Sequence, residues 1–167
     1  MRIVSIDSSH GSQLLVADAV LDAEHATLSV LSLAEQAESR RHAESLGGML
    51  AEALSSPAVA ERRLDAVVAA TGPAPFTGLR AGLVTARALS RAWGVPLYGV
   101  SSLEALALGG AMRGLNDILA VIDARRRELF VLRARPLGHD DVAVVSGPEI
   151  AARADLPVRP ETAIVTP

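Results

Sequence analysis

The chain has 167 residues and a mass of 17.3 kDa, carries a formal net charge of −3, and is half apolar, which predicts about one domain with a sizeable core. It has no Cys and no Lys, so disulfide scaffolds, thiol catalysis, cysteine zinc sites, Walker-type lysines and Schiff-base chemistry are excluded. The acidic balance and four scattered aromatic residues argue against stand-alone nucleic-acid binding, and the short apolar runs and the absence of a signal peptide lead us to expect a cytoplasmic protein without a membrane span.

The apolar pattern of the first part of the chain predicts the element order βββαβαβα. Strands are predicted at residues 2–8, 14–17, 27–31, 64–70 and 96–100, and helices at 35–55, 76–93 and 102–112. Pro57 and Gly94 are expected to end the first two helices, and Ser101 with Glu104 forms a capping box at the start of the third. Three antiparallel strands followed by alternating helices and strands predict a mixed sheet with crossover helices.

The rest of the chain repeats this plan. Both segments 3–7 and 118–123 are apolar strands that end in Ile-Asp and lead into a turn and a second strand. Further elements are predicted as strands at 128–133 and 141–145, a short helical segment at 148–153, and a strand at 163–165. We therefore predict two lobes, residues 1–113 and 114–167, of which the second is partial. The expected crossover helix does not follow Val165, which indicates a truncated chain.

The turn after the first strand is a candidate phosphate site. A strand that ends in Asp and turns into a Gly-containing hairpin can present backbone N–H groups to a phosphate, and Asp7, Ser8 and Ser9, followed by Gly11, fit this pattern. The alternative is that Asp7 only caps the turn. After Asp123 the sequence is Ala-Arg-Arg-Arg without glycine, so a two-sided phosphate clamp is not expected. The three arginines are most simply an exposed turn, with phosphate contact as the alternative.

Two helices carry features typical of a contact surface. The loop from Thr71 leads into a helix N-terminus at which Thr77 and Arg80 are candidate anion contacts. Small residues at spacings of four in that helix permit close approach of another backbone, either within the domain or from a partner. The earlier helix combines an apolar stripe with two glycines after a mixed-charge start. The predicted partner interface comprises Arg41, His42, Glu44, Leu46, Met49, Leu50, Ala53, Gly78, Gly82 and Ala86.

Catalytic patterns are missing from the sequence. No two of the four histidines, His10, His25, His42 and His139, lie at helical i, i+4 spacing or in a His-Glu-x-x-His pattern, so no metal site is predicted. There is no Gly-x-Ser-x-Gly nucleophile elbow either. A peptidase activity would need a metal site that these histidines do not supply. A nucleotide-dependent phosphotransferase remains an alternative that rests on Asp7.

Five motifs in order along the chain resemble the TsaB (YeaZ) family of bacterial tRNA-modification proteins. They are Ile-Asp-Ser-Ser at 6–9, Arg-His-Ala-Glu at 41–44, Gly-Pro-Ala-Pro-Phe-Thr-Gly-Leu-Arg at 72–80, Val-Ser-Ser-Leu-Glu-Ala-Leu-Ala at 100–107 and Ile-Asp-Ala-Arg-Arg at 122–126. The third motif is the most specific, and the resemblance covers residues 3 to about 150. The chain departs from the family at Ala74, where Gly is usual, and at Gly47 and Gly48, where Leu-Pro is usual.

The resemblance implies a two-lobed, actin-like/Hsp70-like fold of the ribonuclease H-like class and a function without catalysis. TsaB proteins bind and stabilise the catalytic homologue TsaD, which forms N6-threonylcarbamoyladenosine at adenosine 37 of tRNA, and the ATPase TsaE joins the assembly. The family also forms homodimers through helices of the first lobe and lacks the paired histidines with which TsaD holds its metal. The resemblance therefore implies no intrinsic cofactor, ATP or ADP with Mg²⁺ only at the assembled complex, and contact with tRNA only through that complex.

Overall fold

The computed structural model describes residues 1–21, 26–36, 42–74 and 76–167, and these form two compact units. The first unit contains the described residues of Met1–Thr71 and Phe76–Val100, and the second those of Gly72–Pro75 and Ser101–Pro167. None of the helices in these described ranges is long and apolar enough to cross a membrane.

The first unit is a five-stranded mixed sheet with two long helices. Its elements are β1 (Arg2–Asp7), β2 (Ser12–Leu21), β3 (Ala26–Gln36), α1 (His42–Ser55), α2 (Pro57–Ala60), β4 (Ala66–Ala70), α3 (Phe76–Trp93) and β5 (Leu97–Val100). The strand order is β3-β2-β1-β4-β5, with β1 antiparallel to β2 and parallel to β4. The predicted mixed sheet with crossover helices is therefore confirmed for this unit.

The core of the first unit lies between the sheet and the helices α1 and α3. Burial alternates along β1, so that Val4 and Ile6 point into the core while their neighbours are partly exposed. From the helices, Leu46, Ala86 and Leu89 enter the same cluster. Because both helices share this cluster, α1 and α3 cover the same face of the sheet and leave their opposite faces to solvent.

The second unit repeats the strand plan of the first. Its elements are α4 (Ser102–Ala111), β6 (Ile118–Arg125), β7 (Glu128–Pro136), β8 (Val142–Ala152), a 3-10 turn (Arg153–Asp155) and β9 (Ala163–Val165). The strand order is β8-β7-β6-β9, with β6 antiparallel to β7 and parallel to β9, as β1 is to β2 and β4. The repeat that the two Ile-Asp strands indicate is thus present as a repeated sheet topology.

Helix α4 belongs to the second unit, which corrects the predicted boundary at residue 113. Leu103 and Ala107 of this helix are fully buried in one cluster with Ile118 and Leu132 of the second sheet, so the first unit ends at Val100. The predicted capping box at its start is confirmed, because the Ser101 hydroxyl accepts the N–H of Glu104.

Two predicted elements differ from the structure. The segment 148–153, expected to be helical, continues edge strand β8 to residue 152, where Pro148 is tolerated because an edge strand has one unpaired side. The helix predicted from residue 35 begins at His42, since β3 extends to Gln36 by pairing with Ser12. Helix α1 ends at Ser55, as the Pro57 signal predicts, and Pro57 itself starts the separate short helix α2, a position that suits its fixed backbone angle.

Candidate partner-binding surface

The solvent-facing side of α1 and α3, called the helix face below, is the candidate functional surface of the first unit. Its described exposed residues are Gly47, Gly48, Ala51, Glu52 and Ser55 of α1, and Arg80, Val84, Arg87, Ala88, Arg91 and Ala92 of α3. Several of these residues have small or no side chains. Such residues allow a second helix to approach its backbone closely.

Gly47 and Gly48 have no internal packing reason to be glycine. A Cβ atom built on either residue meets nothing within 4 Å outside the helix's own turn. Glycine in a helix interior costs about 1 kcal/mol relative to alanine. The chain thus bears this cost at two adjacent positions that face solvent. Glycine at these positions would allow a neighbouring helix to pack closely against α1.

Several residues of the predicted interface are core residues, so that part of the prediction is corrected. Leu46 and Ala86 are completely buried and Ala53 is 3% exposed, because they contact the sheet of their own unit. Met49 and Leu50 are partly buried against the same cluster. Arg41 lies outside the described residues, and the structure describes the positions of His42 and Glu44 in α1 but not their side chains.

Gly78 and Gly82 face inward, which favours the internal-packing alternative for this stripe. The Ser8 hydroxyl donates a hydrogen bond of 2.8 Å to the carbonyl oxygen of Gly78. A Cβ on Gly82 would lie 2.2 Å from the Ser8 oxygen and 3.0 Å from the Ser8 Cβ. The two glycines therefore let α3 pass directly beside the turn after β1, and both are buried.

The outward side of α3 is basic. Arg80, Val84, Arg87 and Arg91 follow the spacing i, i+4, i+7 and i+11, which places them along one side of a helix. All four are exposed, and the helix sequence contains no Asp or Glu. The helix face thus combines exposed glycines on α1 with exposed arginines on α3.

The turn after β1 holds its own side chains in internal hydrogen bonds. Asp7 Oδ1 accepts the N–H of Ser9 at 2.7 Å, which is the capping role weighed against phosphate binding. The Ser8 hydroxyl donates its hydrogen bond to the Gly78 carbonyl oxygen of α3. Arg80 lies on the outward side of α3 and Gly78 and Gly82 on the inward side, so the structure does not gather Arg80 with Asp7, Ser8 and Ser9. The side chain of Thr77 is not described.

The turn after Asp123 is stabilised by the same kind of hydrogen bond from a backbone N–H to the aspartate side chain. Asp123 Oδ1 accepts the N–H of Arg125 at 2.8 Å. Arg125, Arg126 and Arg127 then adopt φ angles of 66°, 54° and 70°, in the left-handed region that favours glycine. All three side chains are exposed, as expected from the sequence.

Two ion pairs, a partly buried one in the first unit and a buried one in the second, were not anticipated from the sequence. Arg2 at the start of β1 donates two hydrogen bonds to Asp18 on β2 and a third to the carbonyl of Val59. In the second unit, Arg133 on β7 donates to both carboxylate oxygens of Asp117, immediately before β6. The only sequence signal for either pair is a charge within an apolar strand, and both pairs join the first two strands of a sheet.

The carboxylates of both pairs are held in the charged form. Hydrogen bonds from Arg133 and then from Thr162 hold the pKa of Asp117 well below its usual range, against the opposing effect of burial. Hydrogen bonding to Arg2 likewise lowers the pKa of Asp18. Because the residues of each pair bind one another within their own unit, we assign both ion pairs a role in the stability of the fold. Among the described residues, no three His, Asp or Glu side chains are grouped so as to hold a metal ion.

Comparison with known proteins places these features in a family. A family model described as TsaD: tRNA N6-adenosine threonylcarbamoyltransferase matches residues 33–160. The solved structure of YeaZ from Pseudomonas aeruginosa superposes with a TM-score of 0.75 at 21% identity, covering 98% of this chain and 75% of that one. The chain belongs to the family that this threonylcarbamoyltransferase model describes. This likeness confirms the mixed α/β fold that the sequence motifs imply.

Curated relatives extend the comparison. An uncharacterized protein of Mycobacterium tuberculosis is 42% identical over 137 residues, which are 82% of this chain and 61% of the relative. A tRNA N6-adenosine threonylcarbamoyltransferase of Rhizobium meliloti is 34% identical over 121 residues, covering 65% of this chain and 34% of that enzyme. The chain thus spans about three fifths of the length of the mycobacterial relative and a third of the enzyme's.

Proposed function

We propose that this chain is a TsaB-type protein and serves as a partner and scaffold subunit in the formation of N6-threonylcarbamoyladenosine in tRNA. In this role it binds and stabilises the catalytic TsaD-type homologue through the helix face, and a TsaE-type ATPase joins the complex. The match to the threonylcarbamoyltransferase family model supports the pathway. The role of a non-catalytic subunit is supported by Asp7, Ser8 and Asp123, whose side chains form hydrogen bonds with backbone groups of this same chain.

The observation that carries the binding role is the pair of solvent-facing glycines in α1. Internal packing explains Gly82, whose Cβ would collide with Ser8, but it does not explain Gly47 and Gly48, which have open space around them. A partner helix that packs across these positions gains close backbone contact from the missing side chains. A second copy of this chain presents the same helix face and fits it as a homodimer when the catalytic homologue is absent.

The test uses variants that block the helix face without disturbing the fold. Gly47→Gln and Gly48→Gln place a side chain into open space and replace glycine with a better helix former, so the isolated chain should be as stable as wild type or more stable. Co-purification with the TsaD homologue of the same organism should be abolished. Ala105→Gln, at an exposed position of α4, is the matched control and should retain the complex.

The enzymatic alternatives predict different results. If the chain were a nucleotide-dependent phosphotransferase, it would bind Mg-ATP tightly by itself and lose turnover on Asp7→Asn. If it were the catalytic transferase or a related peptidase, the purified chain would act without its homologue. Phosphotransferase, threonylcarbamoyltransferase and peptidase activity can each be measured on the isolated protein. Any of these activities whose rate does not depend on added TsaD homologue would overturn the scaffold role.

A further inference from the structure

The hairpin tip formed by Arg125, Arg126 and Arg127, called the arginine turn below, is the feature that the proposed function leaves unexplained. It joins β6 to β7, with Arg125 opposite Glu128 in the register. A two-residue hairpin turn of type I′ needs positive φ at both central residues, for which Asn-Gly is the preferred sequence. This chain instead places arginine at both central positions and at the residue before them.

Within the described ranges, the arginine side chains make no contact that would offset this backbone strain. Residues held in the left-handed region without being glycine are disfavoured, and strain of this kind concentrates at functional sites. No side-chain hydrogen bond or ion pair joins the three guanidinium groups to any other residue in the described ranges. Asp123 holds the turn through the backbone N–H of Arg125 and does not bind its guanidinium group. The strained positions therefore display three free cationic groups to solvent.

A fourth arginine lies at the same end of the sheet. Glu128 pairs with Ala152 across β7 and β8, so the exposed Arg153 that follows Ala152 lies beside the arginine turn. Four arginines thus share this end with the carboxylates of Asp123, Glu128 and Asp155. The planar guanidinium group forms two parallel hydrogen bonds with a phosphate, which a lysine cannot do. The chemistry of the turn suits an anionic ligand with several phosphate groups.

We propose that the arginine turn binds backbone phosphates of an RNA. This inference rests on the proposed function, which brings the chain into an assembly that must bind a tRNA. It adds that this chain supplies some of the contacts to that tRNA. The low overall charge of the chain fits a local contact and not an extended RNA-binding surface. The contact strengthens binding inside the assembly, where the rest of the affinity comes from elsewhere.

The test replaces the strained arginines by the sequence that the turn prefers. Arg126→Asn combined with Arg127→Gly should raise the Tm of the isolated chain by about 2–4 °C, because the backbone strain is relieved. In the complex with the TsaD homologue, the affinity for a fluorescein-labelled tRNA transcript should fall about 5- to 50-fold. The slope of log affinity against log salt should decrease by about 2, because each of the two removed arginines neutralises about one phosphate group. Arg113→Gln with Arg159→Gln removes the same charge at other exposed positions of the second unit and should change neither quantity.

The outcomes separate this inference from the proposed function. Unchanged tRNA affinity and salt slope in an intact complex overturn the arginine turn alone. Failure of the turn variant to form the complex, where wild type assembles, shows that the turn binds protein and also overturns the inference. If wild type forms no complex, the proposed function fails, and the same variants are then compared on the isolated chain at low salt. Weaker tRNA binding by the turn variant than by its control supports the inference there, and equal binding overturns it.

Discussion

The contact between Gly82 and Ser8 makes a quantitative test of how α3 is placed. In Gly82→Ala the new Cβ would lie 3.0 Å from the Ser8 Cβ, which the backbone of the turn holds in place, so rotation of the hydroxyl does not relieve the collision. Overpacking of this kind costs about 1–3 kcal/mol. The bond from Ser8 to the Gly78 carbonyl, worth about 1 kcal/mol, is strained as well. The gain of about 1 kcal/mol from replacing a helical glycine offsets part of this.

The net expectation is a decrease of about 1–3 kcal/mol in the unfolding free energy of the first unit. Trp93 is the only tryptophan and packs against the core of this unit, so its fluorescence during urea unfolding reports the unit directly. Gly48→Ala is the matched control. It makes the same chemical change in a helix of the same unit but meets open space, so it should stabilise by about 0.5–1 kcal/mol.

A double variant distinguishes collision from other causes. Ser8→Gly removes both the Oγ and the Cβ that the new methyl group would meet, leaving Ile6 Cγ2 at 3.7 Å, an ordinary contact. Ser8→Gly with Gly82→Ala should therefore be at least about 1 kcal/mol more stable than the two single effects predict by addition. Additive effects in the double variant, or a Gly82→Ala chain as stable as Gly48→Ala, would refute the account of α3.

Further predictions concern the second unit, and each is read from thermal or urea unfolding. Asp117→Asn should destabilise by about 3–5 kcal/mol, because it leaves the buried Arg133 guanidinium without its counter-charge; a decrease below about 1 kcal/mol would contradict the pairing. Because the pKa of Asp117 is lower in the folded than in the unfolded state, its contribution is fully present above about pH 5 and is lost as the pH falls below the ordinary carboxyl value of about 3.9. The Asn variant should therefore lose less stability than wild type between about pH 5 and about pH 3, and parallel curves would count against this. Ser101→Ala should cost about 1 kcal/mol by removing the cap of α4, whereas Ser101→Asp should retain the stability.

The fold was largely predictable where local signals agree with packing. Helix α3 has its predicted bounds because the apolar period stops at Trp93 and Gly94 follows with a φ of 66°. Strands β2 and β3 run longer than predicted, since polar residues such as Gln13 and Asp18 are held by ladder hydrogen bonds that the apolar pattern does not report. The position of α4 was not predictable from its sequence, because its apolar residues suit either sheet.

The site was less predictable for a related reason. Spacing identifies small residues on a helix face but does not tell which face the sheet covers. Gly82 and Ala86 have the spacing of a contact stripe and are buried against their own sheet. Gly47 and Gly48 have weaker spacing and face solvent. The inward or outward direction depends on tertiary packing, and so does the strain of the arginine turn, which follows from the hairpin register.

The affinity of this chain for the TsaD homologue, measured by calorimetric titration of purified proteins, tests the central claim most directly. Wild type and Ala105→Gln should bind with equal affinity. Gly47→Gln with Gly48→Gln should weaken binding at least about 100-fold while keeping or raising the Tm, because its side chains fill the space that the partner helix needs. Full affinity in the glycine variant, or no binding by wild type, would contradict the claim that the helix face binds the catalytic partner.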